Sequence, residues 1–232
     1  MNVEDALEII DKTEHEISLQ VYKNHAIQIH LTHGGIALVL NGIDIAGNIT
    51  IDLRTIEQFV LRRYLTGIPF RANWVLRSLV AGYPSTSFAL LRVLFEELVS
   101  MNYFIQNPDA ARSAFNDENY IEPGLTKKLN AITSVTDYQV IAKRLSDGYV
   151  HPRLNRGSIL DTSTGILPEP FYNPKVCNLC LDLLVFIVDR SAAHMTMFGV
   201  DEAENREWLN NLRLFSDDVR EYQDNKQHDY PE

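Results

Sequence analysis

Cysteine is nearly missing from this chain: Cys177 and Cys180 are the only two among 232 residues. Three positions apart in a helix-like stretch, they offer no disulfide framework, and a lone C-x2-C without a second Cys or His pair at ligand spacing is a weak metal signature. Flanked by Leu181, Leu183 and Leu184, both thiols read as small core residues. Long apolar runs are absent too. The longest, from Cys180 to Val188, stops at Asp189-Arg190, well short of the ~18 residues of a membrane span. The opening MNVEDALEIIDKTE is acidic where a secretory leader would be basic. These absences set the expectation of a cytoplasmic protein with no membrane partner. The sequence also lacks G-x-G-x-x-G, G-x4-G-K-[ST], H-E-x-x-H and G-x-S-x-G, so the usual nucleotide-binding, zinc-protease and serine-hydrolase readings lose their support. No cofactor is expected.

Basic residues are outnumbered: 21 Lys and Arg face 31 Asp and Glu, a net charge of −10. A protein that coats nucleic acid needs the opposite balance. The imbalance is concentrated, since residues 201–232 hold ten acidic and four basic residues, a net of −6. Against this background stand two basic islands. Residues 54–77 carry five arginines against Glu57, and residues 143–156 carry Lys143, Arg144, Arg153 and Arg156 against Asp147. If they meet they make an anion-binding cleft; otherwise they are solvated helix faces paired with distant carboxylates.

Apolar residues recur at helical spacing along most of the chain. Residues 3–22 place Val3, Leu7, Ile10, Ile17 and Val21 on one stripe, and residues 52–64 do so with Leu53, Ile56, Phe59, Val60 and Tyr64. A helix over 71–82 ends at Gly82 and Pro84. Ser85, Thr86 and Ser87 then offer caps for FALLRVLFEELVSMNYFI, which is apolar nearly all round, belongs at the centre, and stops at Asn107-Pro108. Asp109 starts a short helix through Phe115. Residues 125–150 read as helical with a break near Thr133-Ser134, and helices over 175–198 and 202–223, the latter capped by Asp201, complete the chain. The segment from Ala26 to Ile45 is ambiguous. Ile27, Ile29 and Leu31 alternate with polar residues ahead of Gly34-Gly35, which suggests a β-hairpin, whereas a helix must hold two glycines at a cost of about 1 kcal/mol each. The expected fold is an all-α helical bundle over 51–223, preceded by a helix plus hairpin or helix over 1–50 and followed by a frayed tail over 224–232.

Several side chains are candidates for chemistry. Arg92 and Glu96 lie four apart inside the central apolar helix, where they either pair with each other or face a polar cleft between helices. His25, His30 and His33 have ligand-like spacing, but in a strand His30 and His33 would face opposite sides, and no metal site is expected there. DTSTG over 161–165 reads as turn chemistry. The sharpest pair is Arg144 and His151 in AKRLSDGYVHP, seven residues apart and thus on one face at a helix end before Pro152. An imidazole can take a proton from a 2′-hydroxyl or give one to a leaving oxygen, and a guanidinium can bind two phosphate oxygens.

The R-x6-H spacing resembles the arginine-histidine signature of the HEPN superfamily. The central GYPSTSFALLRVLFEELVSMNYFIQNP stretch followed by LSDGYVHP resembles an uncharacterised bacterial branch of such helical proteins, with helix order alike over roughly residues 50–200. That resemblance implies a metal-independent ribonuclease of a toxin-antitoxin or phage-defence system. In it Arg144 would hold phosphate, His151 would be acid or base, Arg153 and Arg156 would add phosphate-binding charge, and two copies would form a homodimer. Family members without activity serve as binding or dimerising modules. The corresponding alternative is a non-catalytic module that binds a partner protein through its cleft or acidic C-terminal helix, with Arg144 paired to Asp147 or Glu96 and His151 capping helix carbonyls.

Overall fold

The structure is a computed structural model that describes residues 3–48, 60, 63–132, 136–148, 161–162, 165–166, 170–198 and 205–227. Its helices are α1 (Val3–Asn24), α2 (Ala26–Asn48), α3 (Ile68–Val80), α4 (Pro84–Gln106), α5 (Pro108–Asn116), α6 (Leu125–Ala131), α7 (Thr136–Gly148), α8 (Pro174–His194) and α9 (Arg206–Gln227), with a 3-10 turn over Met195–Phe198. The all-α bundle expected from the periodicity is the fold. Its one β feature among the described residues is an antiparallel pair of two-residue strands, β1 (Asp161–Thr162) and β2 (Gly165–Ile166), in the DTSTG turn.

The hairpin alternative for the N-terminal region is overturned. Residues 26–48 form the continuous helix α2, and it packs most extensively on α8, with further contacts to α9 and α3. Gly34 and Gly35 are not turn residues. They lie where other helices press on α2: a Cβ on Gly35 would stand 2.5 Å from Val188 Cγ2 and 3.0 Å from Phe215. Packing at that distance outweighs the propensity cost that made a helix look unfavourable. As a helix, the stretch from Ala26 to Ala46 is long and apolar enough to cross a membrane by length and composition, and half of it is buried inside the fold. Divided at Gly34-Gly35, as a hairpin would divide it, neither half of the segment reaches that length.

The helix before Gly82 and Pro84 ends at Val80, and Pro84 begins the next one; Pro69 and Pro84 occupy the first turns of α3 and α4, where their missing N–H is not needed. Gly82 makes the turn between these helices with φ +88, and its carbonyl accepts a bond from Phe171 N at 3.0 Å. Ser87 does not cap α4; its hydroxyl donates to Val75 O and Tyr83 O. α4 is central as its composition predicts, with Phe88, Leu91, Leu94, Phe95, Leu98 and Met101 inaccessible.

Two tyrosine and tryptophan contacts fix the outer helices. Tyr138 on α7 meets Phe95 of α4 and Phe186 of α8 edge-on, with centroids 5.9 and 5.7 Å apart, and its hydroxyl accepts from Asn102 Nδ2 at 3.1 Å. Trp208 on α9 donates from Nε1 to the Leu38 carbonyl of α2 at 3.0 Å. A polar handle on a buried ring thus sets where each helix docks.

The two adjacent glycines provide an internal control. Gly34→Ala, whose Cβ would meet Phe215 at an ordinary 3.4 Å, is expected to be neutral or to stabilise by up to about 1 kcal/mol. Gly35→Ala forces a Cβ into the stiff Val188 side chain and is expected to destabilise by about 1–3 kcal/mol. Urea unfolding of both variants reads the difference in sign.

Candidate functional site

Arg144 lies one turn before the end of α7, a helix held to the bundle by buried Tyr138, Ile141, Ala142 and Leu145. Gly148, the last described residue of α7, stands three positions ahead of His151 in the sequence. His151, Arg153 and Arg156 lie outside the described residues, as does the Arg144 side chain, so only the helix that presents the motif can be placed.

Arg92 and Glu96 are bonded to each other across one turn of α4, Nε to Oε1 at 2.8 Å, on a partly exposed face. Arg71 of the first basic island is held by Glu97, Nε to Oε2 at 2.9 Å and Nη2 to Oε1 at 2.6 Å. Arg63 shares a cavity of about 410 Å³ with Asp117, Glu118 and Glu122, and Arg77 shares a groove of about 600 Å³ with Asp11 and Glu14. The described arginines of that island therefore stand among carboxylates. Arg54 and Arg62 lie outside the described residues, and so does the meeting of the two islands.

The structure assembles a second polar constellation that spacing could not reveal. His25, at the joint of α1 and α2, is buried between Gln28 Oε1 at 3.2 Å from Nδ1 and the Tyr172 hydroxyl at 3.3 Å from Nε2. Gln28 Nε2 donates to Asn178 Oδ1 at 2.5 Å and to Asp182 Oδ1 at 3.1 Å. Asp182 also accepts from Tyr222 at 2.7 Å and pairs with Lys226. The carboxylate of Asp182 can only accept, which fixes the Gln28 amide with its oxygen toward His25. His25 Nδ1 must then carry the proton and Nε2 accept from Tyr172, a neutral ring that agrees with burial holding its pKa below the usual value. With Asn24 Nδ2 of α1 donating to the Tyr172 hydroxyl at 2.8 Å, these bonds join α1, α2, α8 and α9.

This network floors a groove of about 840 Å³ between the first turns of α2 and the last turns of α9. Ile27 and Leu31 form one wall, Asp218 and Glu221 the other, and Gln28 and Tyr222 reach the bottom. No family model, curated protein or solved structure matches this chain. The sites therefore rest on their own chemistry.

The histidines do not converge on a metal. His25 is buried in the network, while His30 lies in the α2–α9 groove and His33 in the groove beside Arg77. Among the described residues no three His, Cys, Asp or Glu side chains are grouped to hold an ion. Cys177 and Cys180 are buried, and burial pushes the Cys177 thiol up to about 11 and that of Cys180 well above its ordinary value, so both are poor nucleophiles at neutral pH. A further buried charge holds α6 to α4: Lys128 Nζ donates to Ser100 Oγ at 2.6 Å and pairs with Glu122. Burial pushes the Glu122 carboxyl up, but bonds from Lys128, Ser100 and Tyr64 outweigh it and hold the group below its usual range. With Ser100 on α4 and Glu122 both on its Nζ, Lys128 is a tie between helices.

One sequence signal did point to the network. Asp182 interrupts an apolar helix, and a carboxylate there requires partners. Which partners it finds depends on residues 44 and 154 positions away.

Two predictions follow from these buried groups. Asp182→Ala strands Lys226, Tyr222 and Gln28 together and is expected to destabilise by about 2–3 kcal/mol, read as a shift in urea midpoint. His194, at the end of α8, has no hydrogen-bond partner for its Nε2 among the described residues, and burial, aided by Arg190, brings its pKa down to about 4. The unfolded chain binds a proton on this histidine below its ordinary pKa near 6.5 while the folded chain stays neutral. Stability therefore falls as pH is lowered from about 6.5 to 4, by about 3 kcal/mol. His194→Leu is expected to remove that part of the slope, measured as the difference between the two proteins across the same pH range.

Proposed function

We propose that the chain is a HEPN-like, metal-independent ribonuclease that cuts single-stranded RNA in a toxin or phage-defence setting. The observation that carries the reading is the placement of Arg144 in the last turns of Thr136–Gly148, a helix docked on the bundle core, with His151 three positions beyond Gly148 in the sequence. A catalytic pair needs a rigid base, and Tyr138 and Leu145 supply one for α7.

In the proposed reaction the 2′-hydroxyl oxygen forms a bond to phosphorus and the bond to the 5′-oxygen breaks. One imidazole takes the 2′ proton and another group returns a proton to the departing 5′-oxygen. The products are a 2′,3′-cyclic phosphate and a 5′-hydroxyl. Arg144 binds the non-bridging oxygens as negative charge grows on them, and Arg153 and Arg156 hold the flanking phosphates. A homodimer brings a second His151 to the reaction, which lets one ring act as base and the other as acid.

A second reading, a non-catalytic module for a partner protein, is favoured by the exposed acidic residues Asp217, Asp218, Glu221 and Asp224 of α9. Purified protein in EDTA separates the two. The ribonuclease cleaves single-stranded RNA to cyclic phosphate ends, and His151→Ala or Arg144→Ala lowers the rate at least about a hundredfold while far-UV circular dichroism is unchanged. Cleavage that persists in His151→Ala removes the assignment, and no cleavage by the unaltered chain leaves the module.

A further inference from the structure

We infer that the groove between the first turns of α2 and the last turns of α9 is a docking site for a helical segment of a partner protein that carries lysine or arginine on one face and aliphatic side chains on the other. The inference is independent of RNA cleavage, since it uses no residue of the α7 end.

The two walls differ in chemistry. On the α2 side Ile27 is 65% exposed, a large aliphatic side chain left in water at the rim, with Leu31 one turn deeper. On the α9 side stand Asp218 and Glu221, both exposed. Their neighbours are already neutralised, Asp217 by Arg220 at 3.2 Å and Asp182 by Lys226, whereas Asp218 and Glu221 make no ion pair with another described residue. The floor is fixed by Gln28 and Tyr222, which are bonded to Asp182 and so are not free to close the groove.

An amphipathic basic helix satisfies both walls at once, with its aliphatic stripe on Ile27 and Leu31 and its cations on the two carboxylates. Other occupants fit less well. A second copy seated by the same face would set these carboxylates against their own equivalents across a two-fold axis. RNA would bring phosphates to an acidic wall. Residues 201–232 add to the attraction, with a net charge of −6 that raises the local concentration of a cationic partner.

The test uses the full chain and a fluorescein-labelled amphipathic peptide of leucine and lysine, about 15 residues long so that it can form a helix on the surface. A leucine–glutamate peptide of the same pattern and a labelled single-stranded RNA serve as the other arms. Anisotropy is expected to show saturable binding of the lysine peptide that weakens with added salt. Binding should fall at least about tenfold in the double variant Asp218→Lys, Glu221→Lys and in Ile27→Asp. It should be unchanged in Asp109→Lys, an exposed acid on α5. Equal binding to the unaltered protein and the groove variants overturns the proposal, as does absence of binding, equal affinity for the glutamate peptide, or displacement of the lysine peptide by the RNA. The glutamate and RNA arms are read on the unaltered protein, so the outcome stands even if a variant fails to fold.

Discussion

The approach of α2 to α8 at Gly35 is the contact on which the other helices depend. Without a side chain at that position the two backbones close until Val188 and Phe215 fill the space a Cβ would take. α9 then lies against both, with Trp208, Leu212, Phe215 and Val219 buried along one stripe and Trp208 bonded to the α2 backbone. Had α2 stood farther out, the indole would lose its carbonyl and Phe215 its seat. Close packing of this kind transmits position, because an interior at crystal-like density cannot absorb a displacement of one methyl group without moving its neighbours.

The same approach creates the polar constellation at the other end of α2. Gln28 can reach Asn178 and Asp182 only because α2 is held on α8, and Tyr222 and Lys226 reach Asp182 only because α9 lies across both. A carboxylate in an apolar helix is costly alone, and here three donors from two other helices offset its desolvation. The network is thus a consequence of the packing and a constraint on it, since any slip of one helix leaves a buried polar atom without its partner. His25 extends the constraint to the joint between α1 and α2. The groove above it inherits fixed walls, which is why the exposed Ile27 and the carboxylates Asp218 and Glu221 form a defined surface.

Much of the helical order was legible because it depends on local periodicity. The central position of α4 follows from a stretch that is apolar on nearly every face, and the stop at Asn107-Pro108 follows from proline geometry. The glycine pair was misread for a physical reason. A glycine pair in a turn and a glycine pair at a helix contact look identical in sequence, and only the approach of Val188 from a helix more than 150 residues away distinguishes them. Pro84 marks a boundary from both sides, following the end of α3 and starting α4 from its first turn. For the sites, the spacing of Arg92 and Glu96 was enough to suggest their pairing, because helical neighbours four apart are set by the helix itself. The partners of Asp182 and His25 were not legible, because they come from two other helices and from Tyr172 ahead of α8.

What the sequence alone determined is therefore the local part: an all-α chain, the central place of its most apolar helix, an acidic C-terminal segment, and the spacing of Arg144 and His151. Tertiary structure decided that residues 26–48 are one helix, that the Asp182 carboxylate of α8 gains three polar neighbours, and that an apolar rim meets an acidic one across a groove. The division has one cause. Helix formation is governed by residues three and four apart, whereas close approach and polar satisfaction depend on residues that become neighbours only once the chain is packed.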